Sequence, residues 1–192
     1  MSGDSPVGAA EVVGYYRQAS AGFGEQVVAV GDEQWDLSTP CEQWIIKAVV
    51  AHVVIAEAQV PDLVGGHASQ RFDVDTSVLG PDPVSVWRGT AIAALEAVAE
   101  ADLDMLVEHP LGTLELRQVV GFRITENVVH AWDIAIGRGA DLEVDPALAR
   151  WCLDFWLPFA DTLAGSGVFG SMVEPARDTP GDRLLGLMGR SA

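Results

Sequence analysis

Glu126 and His130 lie four residues apart inside the apolar run ITENVVHAWDIAIG. If that run is helical, both side chains leave the same face one turn apart, a geometry that suits two ligands on one metal ion. His52 sits in another apolar run, IIKAVVAHVVIAEA, on the stripe made by Ile45, Val49, Ala56 and Gln59. If that stripe is the buried one, its imidazole points inward. One histidine from one helix and a Glu/His pair from another supply three ligands and leave coordination positions for water and substrate. Glu126 is flanked by Ile124, Val128 and Val129, so an unpaired carboxylate buried there is costly and a cation offsets the cost. The competing reading is a satisfied core histidine at His52 and an ordinary surface pair at Glu126 and His130. Two roles are open to Asp133, three residues beyond His130. It either serves the site, holding a ligand histidine from behind or reaching the metal itself, or forms an ion pair with Arg123 or Arg138.

Other reactive residue types have simpler explanations. Trp35, Trp44, Trp132 and Trp151 either line a cavity or are plain core. His67 and His109 stand beside glycine and proline, as solvated loop histidines do. Cys41 and Cys152 are expected to be reduced rather than paired; Cys41, ahead of a helix, is either a functional thiol or a small buried residue. The chain has no Gly-x-Ser-x-Gly elbow, no paired-cysteine motif and no His-Glu-x-x-His, so the chemistry of those motifs is not indicated.

The elements that must position these residues are almost all helical, because apolar residues recur at helical spacing and strand-type alternation is scarce. A first helix is expected from about Val7 to Val30, weakened by Gly14, Gly22 and Gly24 and stopped by Gly31. A second is expected to begin at Pro40, capped by Ser38 or Thr39, and to end near Val60 where Pro61, Gly65 and Gly66 follow. From His67 to Pro83 the chain is polar and lacks a stripe, which makes it a long loop and a candidate rim of a site. Asp82 and Pro83 open a third helix ending near Ala101. Pro110 and Gly112 then enforce a turn, with a weak hairpin signal on either side. A fourth helix follows from about Leu116 to Ile136, and a fifth, opened by Asp145 and Pro146, continues through DTLAG with a bend before Pro158. A short apolar helix from Asp182 to Met188 closes the chain. Residues 1–192 read as one domain, four long antiparallel helices with an extra C-terminal helix and tail, and metal sites in bundles are built in the core.

Of the 192 residues, 28 are acidic and 11 basic, a formal charge of -17. Nucleic acids and anionic membrane surfaces, which draw affinity from lysine and arginine, are poor partners for such a chain. With 49% hydrophobic residues, a chain this long buries roughly 70% of its unfolded surface. Lys47, His52 and Glu57 interrupt the most apolar stretch, so no run approaches the roughly 20 residues of a membrane span. The N-terminus carries an acid where an export signal has basic residues, so a cytoplasmic location is expected.

Three ordered motifs carry a family resemblance. WDLSTPCEQWIIKAVVAHVV resembles a signature of the DinB/YfiT-like metal-binding bundles, in the actinobacterial branch similar to the N-terminal domain of mycothiol-dependent maleylpyruvate isomerase. ENVVHAWDIAIGRG resembles that branch's second signature, and DTPGDRLLGLMGRSA the tail of one of its subgroups. The resemblance implies an all-α, DinB-like four-helix bundle with a divalent metal held by His52, Glu126 and His130. Zinc is the first choice, and the same donor set suits nickel, iron and manganese. It also implies mycothiol as co-substrate, activated as thiolate for transfer to an electrophilic small molecule. The isomerases carry a further C-terminal domain, so maleylpyruvate isomerisation itself is not expected here. Two other functions fit the ligand set: a hydrolase or lyase using metal-activated water, and a non-catalytic metal- or ligand-binding protein with Asp133 closing the coordination sphere. Bundles of this kind often pair, so a homodimer is compatible with this reading.

Overall fold

The computed structural model describes residues 8–42, 44–159 and 172–191. Its body is a helical bundle of α1 (Ala9–Val28), α2 (Ile46–Ala58), α4 (Pro83–Glu100) and α5 (Leu116–Gly137), with the single-turn helix α3 (Val60–Val64) following α2. Helices α4 and α5 each pack against both α1 and α2, which therefore occupy opposite corners. Helix α6 (Pro146–Trp156) and the C-terminal α7 (Pro180–Leu187) pack on each other. One core cluster gathers Tyr16, Leu63, Val98, Leu116, Ile124, Trp156 and Leu184; a second gathers Phe23, Val27, Val49, Val53, Leu79 and Ile134. Among the described residues no helix is long and apolar enough to cross a membrane.

Local chemistry explains most boundaries. Asp82 accepts from the Ser85 N–H at 3.0 Å, and Asp145 accepts from those of Ala147 and Leu148, each with proline at the first helical position. These side chains satisfy amide groups that a helix start leaves without partners. Glu115 and Gln118 form a capping box at the start of α5. The expected hairpin is present: β1 (Leu106–His109) pairs antiparallel with β2 (Gly112–Glu115). Gly112 turns the chain at φ 119°, a conformation other residues rarely adopt.

Three boundaries differ from expectation. Helix α2 starts at Ile46, not Pro40, because the first amides are satisfied across the loop: Ile46 N–H donates to Leu37 C=O and Lys47 N–H to Trp35 C=O, both at 2.9 Å. Thr39 caps no helix; its hydroxyl donates to Trp44 C=O at 2.9 Å and closes the turn between. Helix α2 ends at Ala58, and Pro61 lies in the first turn of α3, which Val60 starts, instead of ending the apolar run, since proline is well tolerated there. The fifth helix stops at Trp156 and passes into a tight turn over Leu157–Phe159; its expected continuation lies outside the described residues. Gly24, expected to weaken α1, has a packing role: a Cβ there would lie 2.0 Å from Trp87 Cη2.

Candidate functional site

Helices α2 and α5 bring the three sequence-selected ligands to one place. His52 Nε2 lies 3.5 Å from Glu126 Oε2, and the His52 and His130 rings have centroids 5.4 Å apart in an edge-on arrangement. The Trp44 ring stands 4.7 Å from His52 and 5.8 Å from His130, and Phe72 stands 5.5 Å from His52. The loop before α2 and the long loop after α3 thus wall the histidines. Trp44, His52, Phe72 and Glu126 line a cavity of about 590 Å³ together with Phe122, Trp156 and His109. The segment 69–74 forms its rim, as expected of the polar loop.

Glu126 is not the wholly unpaired carboxylate that its apolar flanks suggest. Arg123, one turn earlier on α5, donates to Oε1 at 2.8 Å, while Oε2 is buried without a hydrogen-bond partner. Burial pushes the Glu126 carboxyl up, but Arg123, His52 and His130 outweigh it and hold it down at about 2. His52 Nδ1 is also buried without a partner. Both side chains keep nearly a fifth of their surface exposed, 19% for His52 and 18% for Glu126, so they are reachable from the cavity.

His130 is held from behind. Its Nδ1 lies 2.9 Å from Asp133 Oδ2, and Arg190 donates to both Asp133 oxygens, from Nη2 at 2.8 Å and Nε at 3.2 Å. Burial lowers the His130 pKa, keeping it neutral, against the opposing pull of Asp133. Burial alone would raise Asp133, but its bonds to His130 and Arg190 bring it below the usual carboxylate range. Asp133 therefore contacts a candidate ligand, as one reading of the sequence has it. Its ion-pair partner is Arg190, not Arg123 or Arg138; Arg138 reaches Gln26 and the Ala29 carbonyl on the α1 side.

The donor chemistry fits a divalent cation. The His52 imidazole and the ionised Glu126 carboxylate face one another through Nε2 and Oε2, with the His130 ring beside His52. Among the described residues, the three potential ligand atoms that lie within 4.8 Å of one another belong instead to Cys41, His130 and Asp133. There Arg190 already donates to both Asp133 oxygens, one of which also lies against His130 Nδ1, and burial raises the Cys41 thiol. That cluster lies behind His130, tied together by hydrogen bonds, while His52 and Glu126 line the cavity.

Several sequence expectations change here. His109 is no solvated loop histidine: it lines the cavity, its ring lies 5.9 Å from Phe122, and its Nδ1 accepts from the Leu111 N–H at 3.2 Å. Burial first, then the positive charges of Arg123 and Arg71, push its pKa down to about 4. Of the four tryptophans considered, Trp44 lines this cavity. Trp132 lines a separate one of about 120 Å³ beside the start of α7, and Trp151 stacks on Phe155. Cys41 and Cys152 are both free thiols, and burial raises Cys152 to about 12. The i,i+3 spacing of Arg123 and Glu126 on one helix is a local signal for their pairing, whereas Arg190 has none for its role.

Comparison with known proteins places this geometry. The family model "Mycothiol maleylpyruvate isomerase N-terminal domain" matches residues 16–135. An uncharacterized protein of Mycobacterium tuberculosis, found in strains CDC 1551 and H37Rv, is 27% identical over 136 residues, covering 70% of this chain and 71% of its own. The crystal structure of the mycothiol-dependent maleylpyruvate isomerase superposes with a TM-score of 0.63 at 18% identity, over 84% of this chain and 75% of that one. A histidine-to-alanine mutant of that enzyme gives 0.61 at 17% identity, over 82% and 70%. At such identities the likeness is one of fold.

Proposed function

Because the chain belongs to the mycothiol maleylpyruvate isomerase N-terminal domain family, we propose that it is a divalent-metal-dependent enzyme that activates a low-molecular-weight thiol, mycothiol first, for transfer to an electrophilic small molecule. His52, Glu126 and His130 hold the metal, with zinc the first choice. The observation that carries this reading is the approach of His52 Nε2 to Glu126 Oε2, 3.5 Å apart, with both side chains lining a cavity of about 590 Å³. A divalent cation held there stabilises the deprotonated sulfur of a coordinating thiol at neutral pH.

The chain's own residues prepare that chemistry. Arg123 keeps Glu126 ionised and fixes one of its oxygens, so the other is turned to the donor cluster. Asp133 accepts from His130 Nδ1 and leaves Nε2 with its lone pair free. Trp44 and Phe72 flank His52 and keep bulk water from that side. Phe122 and Trp156 offer apolar surface to the body of a substrate, and Gln59, Ser69 and Gln70 line the same cavity with hydrogen-bonding groups.

The test is conjugation of mycothiol to a chromogenic electrophile by the zinc-loaded protein, with and without thiol, in parent and His52→Ala. Turnover that needs both thiol and metal and is lost in His52→Ala is expected. Thiol-dependent turnover retained in His52→Ala would sink the proposal, and activity in the complete absence of thiol would assign a hydrolase or lyase instead.

A further inference from the structure

The matched family region ends at residue 135, yet a buried contact behind the candidate ligands comes from the tail. We infer that Arg190 is a positioning residue for the site: through Asp133 it fixes the tautomer and orientation of His130, so the C-terminal tail completes a centre built on α2 and α5. This inference rests on the metal reading above.

The geometry is specific. After α7 the chain turns at Gly189, at φ 77°, and the Arg190 N–H donates to Leu185 C=O at 2.8 Å. That turn aims the guanidinium back into the protein, where Nη1 donates to Met188 C=O at 2.7 Å. Nε and Nη2 go to Asp133 in the two-pronged arrangement that a planar guanidinium makes with a carboxylate, and Cys41 is a further hydrogen-bond partner of the guanidinium. Asp133 is 0% exposed and Arg190 8%, so water does not compete. Without Arg190, both carboxylate oxygens would lose a guanidinium N–H, and the side chain its fixed direction toward His130.

The consequence for His130 follows from what a carboxylate can do. An ionised Asp133 only accepts, so the imidazole nitrogen facing it, Nδ1, must carry the proton. The lone pair is then on Nε2, the nitrogen available to a metal. A carboxylate behind a ligand histidine sets tautomer and ring direction, and its loss typically weakens metal binding by about 10- to 100-fold. Arg190 acts one step further back, as the group that keeps this carboxylate aimed at His130. A lysine offers a charge without the fork, so Arg190→Lys is not equivalent.

The experiment has two readouts on the full chain, with parent, Arg190→Gln, Arg190→Lys and Asp133→Asn, each checked for folding by circular dichroism. The first, on metal-free protein, is the His130 tautomer from long-range nitrogen–proton correlation spectra. The parent is expected to show the Nδ1–H form, and Arg190→Gln a mixture of both. The second is zinc affinity by competition with a chromophoric chelator, expected to fall about 10- to 100-fold in Arg190→Gln and Asp133→Asn, and by less in Arg190→Lys. A folded Arg190→Gln with parental tautomer and parental zinc affinity overturns the inference and leaves the metal reading standing. A parent that binds no zinc overturns the metal reading and this inference together. If Arg190→Gln fails to fold, Asp133→Asn and Arg190→Lys decide by the same two readouts, and unchanged values in both overturn the inference.

Discussion

Removal of one hydroxyl, in Tyr16→Phe, probes the joint between the bundle's helices. Tyr16 on α1 donates to one oxygen of Glu57 on α2, and Asn127 on α5 donates to the other at 2.7 Å, so one carboxylate ties three helices together. Phenylalanine keeps the ring and its packing. Glu57 is 1% exposed, so water cannot replace the lost donor, and a hydrogen bond to a charged group contributes about 1.5–3 kcal/mol. At about 2–4 °C per kcal/mol for a chain of this size, the melting temperature should drop by about 3–12 °C. Burial raises the Glu57 pKa despite the lowering effects of Arg123, Tyr16 and Asn127. A folded pKa above the unfolded one means that Glu57 contributes most below the unfolded value of 4.5, and that this contribution is lost as pH rises through the raised value. Removing the Tyr16 donor raises it further, so Tyr16→Phe should cost more at pH 7 than at pH 4, and Glu57→Gln should abolish that difference. Urea unfolding of the single variants and the double variant at both pH values measures it. A loss below about 0.5 kcal/mol, or one equal at the two pH values, would refute a charge-assisted bond.

Two further outcomes follow from packing and burial. Gly24→Ala should destabilise by about 1–3 kcal/mol through the clash with Trp87, although alanine favours the helix by about 1 kcal/mol. Gly14→Ala and Gly22→Ala on the same helix meet nothing within 4 Å and should be neutral or stabilising in the same urea titration; a stable Gly24→Ala would contradict the packing. Burial, with Arg123 and Arg71, pushes His109 down to about 4 from an ordinary 6.5, so the unfolded chain takes up the proton first. Stability should therefore fall as pH drops from about 6.5 toward 4, by about 1–2 kcal/mol once the half-exposed ring is discounted for solvent screening. Thermal midpoints across that range should show the fall in the parent and a smaller one in His109→Asn; equal slopes would contradict it.

What the sequence made legible was local. Glu126 and His130 belong to one helix, so their common face follows from spacing, and the Asp82–Pro83 and Asp145–Pro146 pairs mark helix starts because both cap groups are adjacent. The start of α2 depends on carbonyls of Trp35 and Leu37, across a loop, and no local rule reports them. His109 reads as a surface residue until the hairpin sets its ring against Phe122. Arg123 and Arg138 were the near arginines for Asp133, but Arg123 is drawn to Glu126 one turn away and Arg138 to α1. The partner that remains, Arg190, is 57 residues distant, and only the turn at Gly189 brings it in.

The central claim is that His52, Glu126 and His130 bind a metal ion, and metal content tests it most directly. The chain would be purified without added metal or a chelating tag and analysed by elemental mass spectrometry beside His52→Ala and Glu126→Ala. Near-stoichiometric zinc, or nickel, iron or manganese, in the parent and its loss in both variants is the predicted result. A metal-free parent whose melting temperature does not move when zinc is added would contradict it.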